Sequence, residues 1–502
     1  MSGFAKKGST AAGSLVAAPK TLRYEHDGGL PVAIEAKSNR RAYVPNNGSQ
    51  FSPGQTIRIN LNSSSFIDFS HSYLQFKFFN KTDGVTDRSV GLDMGCPFFS
   101  RLQIMSGGQE LEDISEYSRL YAILESIQGS RLNADEHSLT EHENFTPNAA
   151  DVDAQANTNA AGYTAAAAGN AAATLLNDAI SGQINAAVDG ANPYVHPPNT
   201  NIAANNSRVF NVPLVSAIFN IEKYFPLLLT QQGIDVYLTL NSAADIGAWS
   251  GAVAANQWEI SEVKYVAHEV NLDDMFTNQM KMSIQATGGV LSLASTTYKH
   301  YLVNQSKANI GSATHNVSTQ VKSLKGLIVR PQNNALTGDI DRFAISTGQS
   351  MGINEIQFKV GSVMYPQEAI KFSADNAGEM FNEIRKCFGT IGSYNHGTML
   401  NKTTFTPTID DAKSYTPGAG NARQLFVAAY DFETFAKSAT ESGLNTSDRS
   451  LPVSFTVKTE AVNNVSDLVV RYDVFAMADC ILYINLAGKL STRRLVTLSN
   501  VR

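Results

Sequence analysis

Apolar and polar residues alternate along much of this chain. In TIRINLN, beginning at Thr56, the residues Ile57, Ile59 and Leu61 fall on one side, and in YLQFKFF, from Tyr73, Leu74, Phe76 and Phe78 do the same. A period of two places such residues on one face of a strand. RLQIMSGG follows and turns at Gly107 and Gly108. The period then changes. Ile114, Tyr117, Tyr121, Leu124 and Ile127 recur every three or four positions, which predicts an amphipathic helix behind an Asp113–Glu116 pair at capping-box spacing. Strand patterns resume in RVFNVPLV, GIDVYLTLN and WEISEVKYVAHEVNL.

A second series starts near Ser283. VLSLAST, HYLVNQ, VSTQVKSLKGLIVR and FAIST read as strands, and IQFKVGSVMYPQEAI as a strand, a turn at Gly361 and a short strand broken by Pro366. A helix follows, with Met380, Phe381, Ile384, Cys387 and Phe388 on one face and Gly389 placed as a left-handed C-terminal cap. After a glycine- and threonine-rich loop over 390–421 come QLFVAAYDF, LPVSFTVKT and LVVRYDVFAMADCILYIN. The order of elements thus repeats, with Gly108 and Gly361 lying 253 residues apart in a chain of 502. This predicts an N-terminal arm over 1–28, a first β domain over 29–282 and a second over 283–502 that ends in a C-terminal tail. From 148 to 206 the composition falls to Ala, Asn, Asp, Gly and Thr. Such a stretch has little to bury, so a surface excursion with one short helix near 171–180 is expected.

Hydrophobic residues make up 43% of the chain and charged ones 17%, which leaves an uncharged polar surface suited to β structure packed against partners. The net charge is -6, with no basic run of five, so sequence-specific nucleic-acid binding is not expected. The ends differ from the middle. Lys6, Lys7, Lys20 and Arg23 precede the first acid, and Lys489, Arg493, Arg494 and Arg502 follow the last. Such ends suit either an anionic lipid surface, a genome or an acidic partner, or plain solvated tails. Cys96, Cys387 and Cys480 are odd in number and form no C-x-x-C pair, so buried thiols are expected rather than a disulfide or zinc module. Neither a secretory signal nor a run of 18 apolar residues is found, so synthesis in a reducing compartment is expected.

The candidates for chemistry are weak. GQSMG at Gly348 has the G-x-S-x-G pattern, but Ser350 would need a helix directly after it, and strand-like INEIQFKV follows. His137 and His142 are five apart, which suits neither one helical face nor one strand face. Asp83, Asp87 and Asp93 crowd a short stretch without the spacing of a calcium loop. No phosphate-binding loop or dinucleotide fingerprint is present. Phe76, Phe78, Phe79, Phe98 and Phe99 lie beside few Lys or Arg residues and read as core. No catalytic residue, metal or cofactor is expected. The chain reads as a structural protein rather than an enzyme.

FSPGQTIRINLNSSSFIDFSHSYLQFKFFN, NVPLVSAIFNIEKYFPLLLTQQGIDVYLTL, FKVGSVMYPQEAI with its helix, and SGLNTSDRSLPVSFTV together resemble the double jelly-roll major capsid proteins of tailless icosahedral double-stranded DNA viruses, of the virophage and polinton-like type. The resemblance implies a mainly β fold of two tandem jelly-roll barrels, each with a short helix and long loops. It implies a homotrimer whose six rolls form a pseudo-hexagonal capsomer that tiles an icosahedral virion shell. Long loops would build towers outside and both chain ends would lie inside. There Lys6, Lys7, Lys20, Arg23, Arg493, Arg494 and Arg502 would face minor capsid or penton proteins or an internal membrane. The protein would be made in the host cytoplasm or nucleus and reside in the virion. A virion spike or a carbohydrate- or receptor-binding β-sandwich is the alternative, suggested by exposed polar loops and scattered tyrosines.

Removing residues within 165–173 should leave soluble yield unchanged, because the stretch holds only alanines, Gly169 and Asn170. Purified yield beside the full chain tests this, and total loss would place a core there.

Overall fold

Strands form where the period of two lets one face be buried, and burial follows that period. In the computed structural model the Thr56–Leu61 strand alternates half-buried and buried residues, and Ile234–Leu240 does so in the same way. The structure describes residues 36–81, 90–93, 96–129, 202, 204–221, 223–249, 253–286, 288–306, 311–334, 337–338, 343–373, 376–389, 398–400, 405, 425–434, 442–448, 451–459, 469–485 and 488–494. The predicted arm and almost all of the 148–206 stretch lie outside them. Of the latter, Ile202 is buried and bridges to Val90, while Asn205 and Asn206 bond to Asn80.

The first series comprises β1 (Ala36–Tyr43), β2 (Gln50–Phe51), β3 (Thr56–Leu61), β4 (Phe66–Asn80), β5 (Val90–Leu92), β6 (Phe99–Ser106) and β7 (Gln109–Ser115). Helix α1 (Tyr117–Gln128) follows, then β8 (Ser207–Val212), β9 (Phe225–Pro226), β10 (Ile234–Leu240), β11 (Gly247–Trp249) and β12 (Trp258–Leu272). Helix α2 (Asp274–Ala286) leads into β13 (Val290–Ser306), β14 (Gly311–Val317), β15 (Leu324–Asn333), β16 (Ile353–Val360) and β17 (Val363–Lys371). Helix α3 (Gly378–Cys387), β18 (Ala428–Asp431), β19 (Val453–Thr459), β20 (Val469–Asn485) and β21 (Leu490–Arg494) complete the chain.

The sheets repeat one strand order. In the first half the order is β1-β12-β4-β8 in one sheet and β3-β10-β6-β7 in the other. In the second half it is β13-β20-β15-β18 and β14-β19-β16-β17. Counting the eight main strands of each half in chain order, both halves pair first, eighth, third and sixth, then second, seventh, fourth and fifth. That is a jelly roll, made twice. Among the described residues no strand of one half pairs with a strand of the other. The expected boundary near residue 283 falls inside α2.

Within the first roll, Phe76, Phe78, Phe98, Phe99, Phe210 and Trp258 are at most 1% exposed, and their rings meet edge-on or tilted, with Phe98 and Phe210 centroids 4.9 Å apart, except Phe76 and Phe210, which stack in parallel. Phe79 departs from the expected core. It is one position out of phase with Phe78 and lies half-buried on the outer face of its sheet.

Several local expectations are corrected. The acidic run after Gly108 is not a helix lead-in but strand β7, hairpinned to β6. Its acids are tolerated because Asp113 pairs with Arg101 across the hairpin at 2.7 Å. Asp113 and Glu116 therefore form no capping box. Glu116 sits before α1 in a left-handed conformation without a side-chain cap. Pro366 does not break β17, whose ladder with β16 bulges between Ile356 and Phe358. Helix α2 was unforeseen, since most of it is exposed and, among its described side chains, only Ile284 is buried. Gly389 does adopt a positive φ of 61° after α3, and its N–H donates to Lys386 O. Cys96 and Cys480 are buried, whereas Cys387 is only partly so.

The equivalent turns are built differently. Gly107 and Gly108 both have positive φ, as a type I′ hairpin requires, whereas at Gly361–Ser362 only the glycine does. A Cβ on Gly361 would stand 2.7 Å from Leu451 Cδ2, while one on Gly108 meets nothing within 4 Å. Gly108→Ala should therefore cost about 1–2 kcal/mol for its backbone conformation, and Gly361→Val more, since the β-branched side chain must also displace Leu451. Urea midpoints of the two variants test the order, and a wild-type midpoint for Gly361→Val would refute the tight turn.

Candidate assembly surface and the junction between rolls

Charged residues inside apolar strand runs signal partners brought from elsewhere, because an unpaired buried charge is expensive. Arg471 and Asp473 interrupt the apolar run of β20, and Arg330 interrupts that of β15. All three converge on the outer face of the second roll's sheet, where α1 of the first roll lies on them. Asp473 is fully buried. It accepts from Arg471 Nη2 at 2.9 Å, faces His300 Nε2 of β13 at 3.0 Å, and accepts from Arg119 Nη1 of α1 at 3.3 Å and Arg330 Nη2 at 3.5 Å. Arg119 also donates to Gln332 Oε1 at 2.6 Å. Glu116 joins from the first roll, 3.0 Å from Arg119 Nε and 3.1 Å from Arg471 Nη2.

The electrostatics follow from this geometry. Burial by itself would raise the Asp473 pKa, but Arg119, the His300 hydrogen bond, Arg330 and Arg471 outweigh it and hold the carboxyl well below its usual range. Burial, with the neighbouring Arg119 cation, pulls the Arg330 guanidinium down to about 9, which leaves it charged at neutral pH.

Further polar contacts tie the rolls together. Asp93 accepts from Ile345 N at 2.9 Å, Ser346 N at 3.1 Å and Ser346 Oγ at 2.5 Å. Buried Glu112 of β7 accepts from Thr297 Oγ1 of β13 at 2.6 Å and from Ala217 N at 3.0 Å. Thr492 Oγ1 of β21 donates to Leu111 O at 3.1 Å, and Met399 N to Ser126 O at 3.1 Å. The junction is thus built from polar side chains and backbone groups spread from residue 93 to residue 492.

Among the described residues the outer face of the first roll's sheet β1-β12-β4-β8 is open. Arg40 donates to Tyr73 Oη at 3.0 Å, and Lys77 pairs with Glu262 at 3.3 Å. A concavity of about 720 Å³ opens there, lined by Val44, Lys77, Phe79, Ser207, Glu259 and Ser261 among others.

The residues singled out for chemistry are dispersed. Ser350 is fully buried, and β16 rather than a helix follows it, so the nucleophile elbow is not formed. Asp93 is spent on the roll junction, and Asp83 and Asp87 lie outside the described residues, as do His137 and His142. No cluster of potential metal ligands occurs among the described residues, and no helix among them is long and apolar enough to cross a membrane. Of the cationic ends, the backbones of Arg493 and Arg494 close β21, opposite Ile481 and Cys480. Lys6, Lys7, Lys20, Arg23 and Arg502 lie outside the described residues.

No protein-family model matches the sequence, and no curated protein is similar to it. Solved structures are similar in fold. The mavirus major capsid protein aligns with a TM-score of 0.51 at 11% identity, over 97% of this chain and 98% of its own. The Faustovirus major capsid protein aligns at 0.52 and 7% identity over 92% of both chains. A chain of the Sputnik virophage cryo-EM structure aligns at 0.52 and 10% identity, over 97% of this chain and 96% of its own. The protein therefore has the double jelly-roll fold of viral major capsid proteins, and the alignment spans both rolls.

Replacing Asp473 by Asn should cost about 3–5 kcal/mol at neutral pH, because three buried guanidiniums lose their shared carboxylate. The folded pKa is depressed, so this stability is present above the unfolded carboxyl value of about 4 and is lost as pH falls through the lower folded value. Urea unfolding of both proteins across pH should show a constant gap above about pH 5 that narrows in acid. A gap absent at pH 7 would show that the cluster does not hold the rolls.

Proposed function

We propose that this protein is the major capsid protein of an icosahedral double-stranded DNA virus, acting without catalysis by trimerising and tiling. The observation that carries this reading is the repetition of one jelly-roll topology in two rolls fixed side by side. Three such chains supply six similar rolls, which is what a pseudo-hexagonal capsomer needs. The fold is shared along nearly the full length of known major capsid proteins.

The two ends of the chain favour an inner base. The first described residue, Ala36, pairs with Leu272 just before α2, and Asn485 at the end of β20 pairs with Val290 just after it. Both rolls thus receive and release the chain at the end where α2 links them. At that end α2 exposes Met275 and Met282, 76% and 70% accessible. With Lys6, Lys7, Lys20, Arg23, Arg493, Arg494 and Arg502 nearby in sequence, this end suits an anionic membrane or minor capsid proteins inside the shell. The arm over 1–28 would extend from it, while the tail leaves β21 opposite Cys480, back along β20 from that end, with the first roll spanning 29–282 and the second 283–502.

Light scattering after size exclusion, in reducing buffer, should give about 162 kDa, three times the chain mass of 54.1 kDa, and negative stain should show hexagonal particles. A clean 54.1 kDa monomer would refute the capsomer and favour a spike or receptor-binding protein.

A further inference from the structure

The two rolls share a topology but not an environment. Helix α1 follows the fifth strand of the first roll and is buried from Tyr117 to Ile127, because it is sandwiched between its own roll and the next. Helix α3 follows the fifth strand of the second roll, yet buries only Met380 and Ile384. Its Glu379, Asn382 and Lys386 are exposed.

The sheets differ in the opposite sense. In the second roll, β20 is buried from Val470 to Cys480 and β15 from Gly326 to Asn333. Both faces are covered there, one by the roll's core and the other by α1 at Asp473, by the backbone of Ile345 at Arg330 and by Cys387 of α3 beside Gly326. Their counterparts in the first roll, β12 and β4, keep the alternation of a sheet covered on one side only over Trp258–Ser261 and Tyr73–Asn80. Tyr73, Gln75, Lys77 and Phe79 stand half-exposed on the outer side. Within one chain, then, the first roll lends its helix and the second roll its sheet. Among the described residues the second roll's helix packs against β18 and β17 of its own roll, and no second roll lies on the first roll's outer sheet face. Each open face has a covered counterpart in the same molecule, and the two are the complementary halves of one more junction of the same kind.

We infer that α3 of one copy seats on the outer face of the β1-β12-β4-β8 sheet of the next copy, over the concavity lined by Val44, Lys77, Phe79 and Ser261. This rests on the capsomer reading and assigns the faces that build it. Donor and acceptor faces differ, so the contact is heterologous and is completed only when the chain of copies closes into a ring. With two rolls per chain, a ring of three alternates internal and intermolecular junctions around six positions. The chemistry of the two junctions differs in a useful way. The internal one has its buried Asp473 cluster, whereas the open sheet carries solvated pairs such as Lys77–Glu262 and Lys81–Glu259, with apolar surface from Val44, 66% exposed, and Phe79. Each chain can therefore fold with these faces in water, and bury them on association.

Two variants test the assignment, each with two added cations on one face: Glu379→Arg with Asn382→Arg on α3, and Val44→Arg with Ser261→Arg on the sheet. Each alone should run at the 54.1 kDa chain mass with wild-type circular dichroism. Mixed in equal amounts they retain one intact helix face and one intact sheet face between them, so they should form a pair of about 108 kDa, twice the chain mass, and stop there. Trimers from both variants would overturn the assignment and leave the capsomer standing, whereas a monomeric wild type would overturn the capsomer itself. Amide exchange on the wild-type trimer gives an independent reading without substitutions. The amides of α3 should be as protected as those of α1, and exchange at the rate of a surface helix would refute the contact.

Discussion

Asp473 is surrounded by Arg119, Arg330, Arg471 and His300, and the side-by-side placement of the rolls depends on it. Each roll can bury its own sheets without help, since inner faces meet inner faces. What neither roll can do alone is place Arg330, Arg471 and Arg119 out of water. The carboxylate on β20 makes that burial tolerable for all three, and only with α1 lying against the sheet is Arg119 in reach. The cluster is directional where a hydrophobic contact is not, so it favours one register of the rolls over others that would bury similar area. Asp93 with Ser346 and Glu112 with Thr297 act in the same sense at other points of the seam.

The two rolls share one topology, and their differences follow from having different neighbours. Helix α1 carries Tyr117, Leu120, Tyr121, Ile123, Leu124 and Ile127, which leaves little polar face, and it is enclosed. Helix α3 keeps an apolar stripe through Met380 and Ile384 and a charged side with Glu379 and Lys386. The sheets repeat this contrast, with β20 nearly continuous in apolar residues and β12 interrupted by Glu259, Glu262, Lys264 and His268. An isolated two-roll module would have little use for such asymmetry. The proposed ring, in which every roll has a roll on each side, would account for it, because half of its junctions would form within a chain during folding and half between chains afterwards.

Much of the fold was legible because strands that bury one face must alternate. Ile57, Ile59 and Leu61 were placed correctly by period alone, as were Leu74, Phe76 and Phe78. Glycines with positive φ at 107, 108, 361 and 389 mark turns and a helix end that other residues would strain. The errors lie where partners brought by the fold, from the same roll or the other, overrule local preference. The run from Gln109 to Ser115 looks like a polar lead into a helix, and becomes a strand because Arg101 pairs with Asp113 while Thr297 and Ala217 satisfy Glu112. Asp93 resembled part of a cation loop, and instead binds backbone more than 250 residues away.

The sequence by itself determined the strand periods, the tight turns, the two helices that follow the fifth strands, and the repetition that makes two domains of one kind. These are local properties, fixed by backbone geometry and by the alternation of side chains across a pleated sheet. It also held one further signal, the charges at 330, 471 and 473 inside apolar runs, which announces buried partners without naming them. Only the tertiary structure decided who those partners are, which helix is enclosed and which is open, and which sheet is covered on both sides. Those outcomes depend on contacts between residues hundreds of positions apart, and no local pattern encodes the distance between two faces that meet only when both rolls have folded.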